Sequence, residues 1–467
     1  MKNFSTLLGI LLLFLIGATT ISYAKSADEI TGIWMARGYG RVLEVDSKEV
    51  QIYDLTSISC TASVVYPIAM FVNGMSVFND VLTFKRGVTQ YTFDKIPVLP
   101  KLCLQKLSKK ERRSPIYNFD VLWNTFNEQY AYFKERNIDW HQLRDKYGSR
   151  VTDKTSQAEL FTICDAMLKE CNDGHVSISA SDKIMEKAAI IGDWGTRPRA
   201  DFRGLREAII AKYIIGPNRH NISRTVWGKV NDSIGYIQIN SMGAQADFGI
   251  PNNKIPENGQ DLYLKYLARN PDTFKDDIDG MNATMKKVLN DLGDTGKIIL
   301  DLRFNGGGED MVGLAVLSYL VGTEKTIFTK KNRVGDSFSE AYPFTLSPQD
   351  ETYSGKLYLL QSHYSASATE VLLLASLAYE NVFRIGSPSE GAFSDILEKR
   401  LPNGWQFGLS NEVYQDRNGI SYEAKGIPVH IDLNYPKDDY KFVAQLKNEL
   451  ELIGDKAIET ILEDVNR

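Results

Sequence analysis

The chain has 467 residues, of which 43% are hydrophobic and 24% charged, with a formal net charge of −5. That balance describes a globular protein and excludes a chain too polar to bury a core. With no basic excess and no run of like charge, nucleic acid is excluded as an expected partner.

In chain order, the first feature is Leu7–Ala18, an apolar run of 12 residues preceded by Lys2 and followed by Ser22-Tyr23-Ala24. The run is shorter than the roughly 20 residues a bilayer-spanning helix needs. Small residues at the −3 and −1 positions complete a secretory signal peptide over 1–24. Cleavage is expected after Ala24, which leaves Lys25 as the mature N-terminus of a secreted or periplasmic protein without stable membrane insertion. No cysteine follows the run, so a lipid anchor is not expected.

Residues 25–110 are expected to form a β-rich domain. Val42, Leu43 and Val45 are separated from Val50, Ile52 and Tyr53 by the polar turn Asp46-Ser47-Lys48. Leu82 and Phe84 flank Arg86-Gly87 with Tyr91 and Phe93 in the same way. Two such hairpins predict a small antiparallel barrel or sandwich. Cys60 and Cys103 both lie here and are a candidate pair, since export permits disulfides. The pairing itself stays open at this stage.

Residues 111–190 read as a helical domain. Phe119, Trp123, Phe126, Tyr130 and Phe133 recur at helical spacing. Ser156 with Glu159 forms a capping box. Leu160, Cys164, Met167 and Cys171 then make a buried stripe, with Gly174 as the expected C-terminal cap. Cys164 and Cys171 are roughly 10 Å apart along a helix, which is beyond disulfide reach, so both are expected as free core thiols.

Residues 191–224 are expected as a linker, and strands alternate with helices over 225–440. The strands are Ile234–Ile239, Ile298–Leu302, Leu357–Leu360 and Val382–Ile385, with a helix over Phe274–Val288. That alternation predicts a largely parallel α/β layer. Residues 400–424 carry the turns Pro402-Asn403-Gly404 and Arg417-Asn418-Gly419 and read as a β excursion. A C-terminal helix over 441–467 completes the chain.

Two segments carry candidate chemistry. Ser367 stands just after a buried strand and just before an apolar helical run. Free backbone N–H groups and the helix dipole favour negative charge at such a place, as a serine nucleophile requires. The competing structural reading is a capping box of Ser367 with Glu370. The second segment is Asp301-Leu302-Arg303-Phe304-Asn305-Gly306-Gly307-Gly308, where glycines let N–H groups point outward as half of an oxyanion hole. No Gly-Lys-Ser/Thr follows, which excludes a phosphate loop of the Walker type. A base is needed, and five histidines are available. His175 follows the Asp173-Gly174 turn, expected as an exposed domain edge. His363 lies four residues before Ser367.

Asp301–Gly308 and Ser367-Ala368-Thr369-Glu370 together resemble the two core motifs of the C-terminal processing (tail-specific) serine peptidases. Asp173-Gly174-His175 resembles an element of their tricorn-like branch. The resemblance covers about residues 115–435 and implies a Clp protease/crotonase-like α/β core. Lysine-dependent relatives place their base about 25 residues after the serine, where this chain has Ala392, and Lys399 does not match. The tricorn-like solution is a histidine from the earlier domain with a late acidic residue. It implies a Ser367, His175 and Glu423 site, with Ala368 and Gly306 or Gly307 holding the oxyanion. A peptide or unfolded protein is the implied substrate, and no metal or organic cofactor is implied. Two rivals stand beside this reading: a peptidase whose base is His363 or a lysine, and a non-catalytic protein carrying a peptide or small hydrophobic ligand on the same fold.

Overall fold

Strands form where β-branched and aromatic residues alternate with polar ones, as in Glu49–Leu55, whose inward residues Val50, Ile52 and Asp54 are all buried. In the computed structural model of the chain, the described residues are 27–71, 74–192, 200–221, 224–249, 260–269 and 273–465. The expected signal peptide over 1–24 lies outside them.

The chain divides into two compact units. The first comprises the described residues within Met1–Thr196, with Lys330–Tyr342 and Ser394–Tyr414. Its N-terminal part is one seven-stranded antiparallel sheet. The strands lie in the order Cys60–Pro67, Glu49–Leu55, Arg41–Val45, Gly32–Ala36, Thr89–Ile96, Val81–Arg86 and Met75–Phe78. Both hairpins fall where the sequence puts them, but they belong to a single open sheet and not to a barrel or sandwich. Cys60 and Cys103 are disulfide-bonded, and Cys164 and Cys171 are free and buried.

The helices Pro115–Gln129, Trp140–Gly148 and Gln157–Lys169 follow. Ser156 and Glu159 form the reciprocal capping box at the start of the third. That helix ends earlier than its apolar stripe suggests: Glu170 is the C-cap, and Asn172, at φ 45°, takes the left-handed turn expected of Gly174. Asparagine tolerates this conformation better than most side chains. Beyond the turn, Ser177–Ser179 pairs with Gln406–Ser410, which pairs in turn with Ile396–Arg400. Of the β excursion expected over 400–424, residues 400–414 therefore belong to this first unit, together with 394–399 before them, and 415–424 belong to the second. Their strands share one core with the N-terminal sheet and the helices, built on Trp34, Phe126, Trp140, Phe161, Trp405 and Phe407.

The second unit comprises the described residues of Arg197–Thr329, Pro343–Phe393 and Gln415–Arg467. Its sheet runs Ile431–Asp432, Val382–Gly386, Lys356–Gln361, Lys297–Asp301, Ile234–Ile239, Thr225–Asn231 and Ile215–His220. The first five strands are mutually parallel, Thr225–Asn231 pairs antiparallel to Ile234–Ile239, and Ile215–His220 pairs antiparallel to Thr225–Asn231. All six residues of Ile234–Ile239 are buried, the near-continuous burial of a strand covered on both faces. The stretch expected as a linker holds the helix Phe202–Tyr213 and the strand Ile215–His220. Leu205, Ile209 and Ile210 are buried at helical spacing and pack in the core with Phe442 and Ile458. The C-terminal segment is two helices, Asp439–Leu452 and Lys456–Val465, broken at Gly454 with φ 93°. The architecture is the α/β core, helical part and N-terminal β part that the sequence implies.

Candidate active site

Within the second unit, the strand Lys356–Gln361 delivers the chain to Ser365-Ala366-Ser367, and the helix Ala368–Ser376 starts immediately after. Ser367 sits at φ 55° and ψ −126°. That region is sparsely populated by residues with a side chain and persists only where surroundings over-determine it. Several bonds do so here. Ser367 N–H donates to the Ala392 carbonyl at 3.2 Å, and the Ser367 carbonyl accepts from Glu370 N–H at 2.7 Å. Ala366 N–H donates to the Asn305 carbonyl at 3.2 Å. The Ser367 hydroxyl makes no capping bond, which overturns the capping-box reading. The acid at Glu370 reaches sideways, to Ser389, Gly391 and Ala392.

The glycine turn packs against this serine. A Cβ on Gly307, at φ 101°, would lie 2.7 Å from the Ser367 Cβ and 3.1 Å from the Ala368 nitrogen. Only glycine permits that approach. Asn305 shapes the turn: its Oδ1 accepts from Gly307 N–H at 2.9 Å, and its Nδ2 donates to the Ile239 carbonyl at 3.1 Å. The Gly307 N–H is thereby engaged. The N–H groups of Gly306 and Ala368 have no hydrogen-bond partner among the described residues. Ala368 is the first residue of its helix, where the backbone leaves such donors unsatisfied.

Asp301 and Arg303 are fully buried and tie the strand end to the C-terminal helices. The Arg303 guanidinium pairs with Asp301 at 2.7 Å and with Asp455 at 2.8 Å, and Tyr236 donates to Asp301 at 2.8 Å. They brace the base of the glycine turn and are not presented at its surface.

Glu423 is buried in the same unit as Ser367 and accepts from Phe393 N–H at 3.0 Å. Ala392 and Phe393 are consecutive, so one short segment bonds to both Ser367 and Glu423. The structure thus ties Ser367, through its backbone N–H, and Glu423, through its carboxylate, to one strap. His363 is also here, with a buried Nδ1 that has no partner among the described residues. It lines a cavity of about 300 Å³ with Ser387, Ser389, Lys425 and Lys437. Burial lowers its pKa, with Lys437 adding to the effect and Asp439 opposing it. No hydrogen bond among the described residues joins His363 to Ser367.

His175 stands in the first unit, two residues before the strand Ser177–Ser179. It is buried, 7% exposed, and not at an exposed edge as the turn suggests. Asp173 Oδ1 accepts from His175 N–H at 2.9 Å, while Asp173 Oδ2 takes the Tyr130 hydroxyl at 2.8 Å. The imidazole Nδ1 has no partner among the described residues. Desolvation depresses its pKa below the usual value, against the raising influence of Asp173 and Asp395. The neutral, proton-accepting form is therefore the resting one at neutral pH. Lys399 is spent in the same unit. It pairs with Asp54 at 3.3 Å and donates to the Gly40 carbonyl at 2.7 Å.

Sequence reasoning missed Asn305 and Ser389 and misassigned Glu370. The Asn305 signal was present as an Asn placed two residues before a glycine, the spacing of a side chain that closes its own turn. Ser389 carries no such local signature.

Residues 233–433 match peptidase family S41, and residues 111–169 match the tricorn protease C1 domain. No curated protein matches the chain. Among solved structures, the fold is similar to a candidate peptidase from Parabacteroides merdae, with 22% identity and a TM-score of 0.51 over 73% of this chain and 97% of that one. It is similar also to mature CPAF, with 10% identity and a TM-score of 0.51 over 75% and 98%. Mature CPAF complexed with lactacystin gives 11% identity, a TM-score of 0.51, and coverage of 75% and 99%. At these identities the likeness is one of fold.

Proposed function

Because the chain carries a peptidase family S41 domain and is a serine-type peptidase, we propose that it is an exported endopeptidase that cleaves through an acyl-enzyme on Ser367. In this reading the Ser367 hydroxyl attacks the scissile carbonyl carbon while its proton passes to His175. The carbonyl π pair moves onto oxygen, which the N–H groups of Ala368 and Gly306 receive. Collapse of the tetrahedral intermediate expels the amine, which takes the proton from His175. Water then adds to the acyl carbon with His175 again accepting a proton, and the C–Oγ bond breaks to release the acid as Oγ takes that proton back from His175. Glu423 stabilises the charged imidazole. The substrate is a peptide or an unfolded protein segment.

The observation that carries this reading is the Ser367 turn. A strained residue that presents a hydroxyl making no cap, beside an unspent helix N–H and a glycine that admits no side chain, is built for nucleophilic attack. A fluorophosphonate probe tests it. Wild-type protein should be labelled on the peptide that contains Ser367, and Ser367→Ala should neither label nor hydrolyse peptides. Labelling elsewhere, or full hydrolysis by folded Ser367→Ala, sinks the assignment.

Export rests on the 1–24 segment. Among the described residues no helix is long and apolar enough to cross a membrane. N-terminal sequencing of the exported protein should begin at Lys25, and an intact Met1 on that protein would contradict cleavage. A second reading makes His363 the base. It is favoured by the unpartnered Nδ1 in the same unit as Ser367.

A further inference from the structure

Glu370 is fully buried, and three donors meet its carboxylate. Oε1 accepts from the Ser389 hydroxyl at 2.6 Å and from Gly391 N–H at 2.7 Å. Oε2 accepts from Ala392 N–H at 2.7 Å. These bonds pin one short strap, Ser389–Phe393, which forms no helix or strand. That same strap supplies the Ala392 carbonyl to Ser367 N–H and the Phe393 N–H to Glu423. Ser389 Oγ also accepts from Ile427 N–H at 2.6 Å, which ties in the segment that carries Glu423.

The strap has no ladder, so its polar groups are met by scattered backbone bonds, Glu390 N–H to the Ser365 carbonyl at 3.2 Å and Ala424 N–H to the Gly391 carbonyl at 2.8 Å, and by the Glu370 clamp on Ser389, Gly391 and Ala392. Ser367, in a conformation that must be over-determined, leans on it. We propose that Glu370 is a positioning residue for peptide hydrolysis: its carboxylate fixes the Ser389–Phe393 strap, and the strap holds Ser367 and Glu423 in working register. The inference rests on Ser367 being the nucleophile.

The role demands a carboxylate specifically. An amide of the same shape carries one NH₂ group, and either flip turns it toward a backbone N–H, that of Gly391 or that of Ala392. A protonated acid has the same defect, because its O–H faces donors. Burial pushes Glu370 up to about 7, with its three hydrogen bonds pulling the other way and Glu390 adding to the rise. Measurements at pH 8 therefore address the ionised form.

The test compares wild type, Glu370→Gln and Ser389→Ala in the full chain at pH 8, reading fluorophosphonate labelling rate, kcat, KM and Tm. Glu370→Gln should lower the labelling rate and kcat by about 100-fold, the size of effect a small misplacement produces, with KM little changed. Ser389→Ala removes a single hydroxyl from the clamp, and its rates should fall by several-fold with Tm nearly unchanged. This second variant keeps the question open to refutation if Glu370→Gln does not fold. Wild-type rates in either folded variant overturn the proposal, as does a rise in KM with kcat unchanged. Wild-type protein that fails to label at Ser367 refutes the nucleophile assignment itself, which separates the two failures.

Discussion

At Ser367 the backbone conformation and the side chain have separable consequences. The hydroxyl makes no cap, so removing it should cost little stability, in contrast to the roughly 0.5–2 kcal/mol lost when a capping serine is replaced. Ser367→Ala is therefore expected to melt close to wild type. Ser367→Gly, which relaxes φ 55°, should be stabilised by about 1 kcal/mol, the lower end of what such strain stores. Both should be inactive, and a calorimetric scan beside a peptide assay checks the pair. His175 supplies a pH signature. Its pKa lies below the usual 6.5 through burial, and in the proposed mechanism the neutral form is the base. Activity should therefore be flat through neutral pH and fall as pH drops through a value under 6.5. The same depression means that the folded state binds fewer protons than the unfolded one, so this group's share of stability is present above 6.5 and lost as pH falls through the folded value. Kinetics of His175→Ala beside His363→Ala decide the base: near-normal turnover in the first and loss in the second would transfer the role to His363.

At the scale of elements, the helix that begins after Ser367 and the glycine turn form one packed unit. Gly307→Ala would set a methyl group 2.7 Å from the Ser367 Cβ while φ stays at 101°. It is expected to destabilise the protein by about 1–3 kcal/mol, the usual cost of overpacking, and to slow serine labelling as the turn is pushed aside. Unchanged labelling in a folded Gly307→Ala would show that the contact has no bearing on reactivity. Much of this device was legible in the sequence, because a buried strand, three glycines and a serine before an apolar helix are local patterns. The role of Glu370 was not. An acid three residues into a helix reads as a cap whether its carboxylate turns back to the N-cap or sideways to a strap 20 residues further along. Only tertiary placement of Ser389–Phe393 distinguishes the two. The early end of the Gln157–Lys169 helix was hidden likewise, since Cys171 stays buried after the helix has stopped.

For the whole molecule, the disulfide links Cys60 to Cys103 across 43 residues. Reduction should cost about 2–4 kcal/mol, mainly by freeing the unfolded chain, while buried Cys164 and Cys171 stay unreactive to alkylation until the protein unfolds. Mass mapping and denaturant titration with and without reductant check both. The division into units was legible only where chain order and space agree. The N-terminal sheet and the parallel core follow the sequence. The return of 394–414 to the first unit does not, because hydrophobic alternation fixes which face of a strand is buried but not which sheet it joins. That return has a consequence for synthesis. The strand after His175 pairs with Gln406–Ser410, and Ser179 meets a residue 227 positions further on. At translation rates of about 5–20 residues per second, its partner emerges roughly 10–45 s later. By then Ser367 has already left the ribosome. On the proposed Ser367–His175 reading, a nascent chain presents Ser367 before the strand beside His175 has found its sheet, and hydrolysis is expected only after Gln406–Ser410 has emerged.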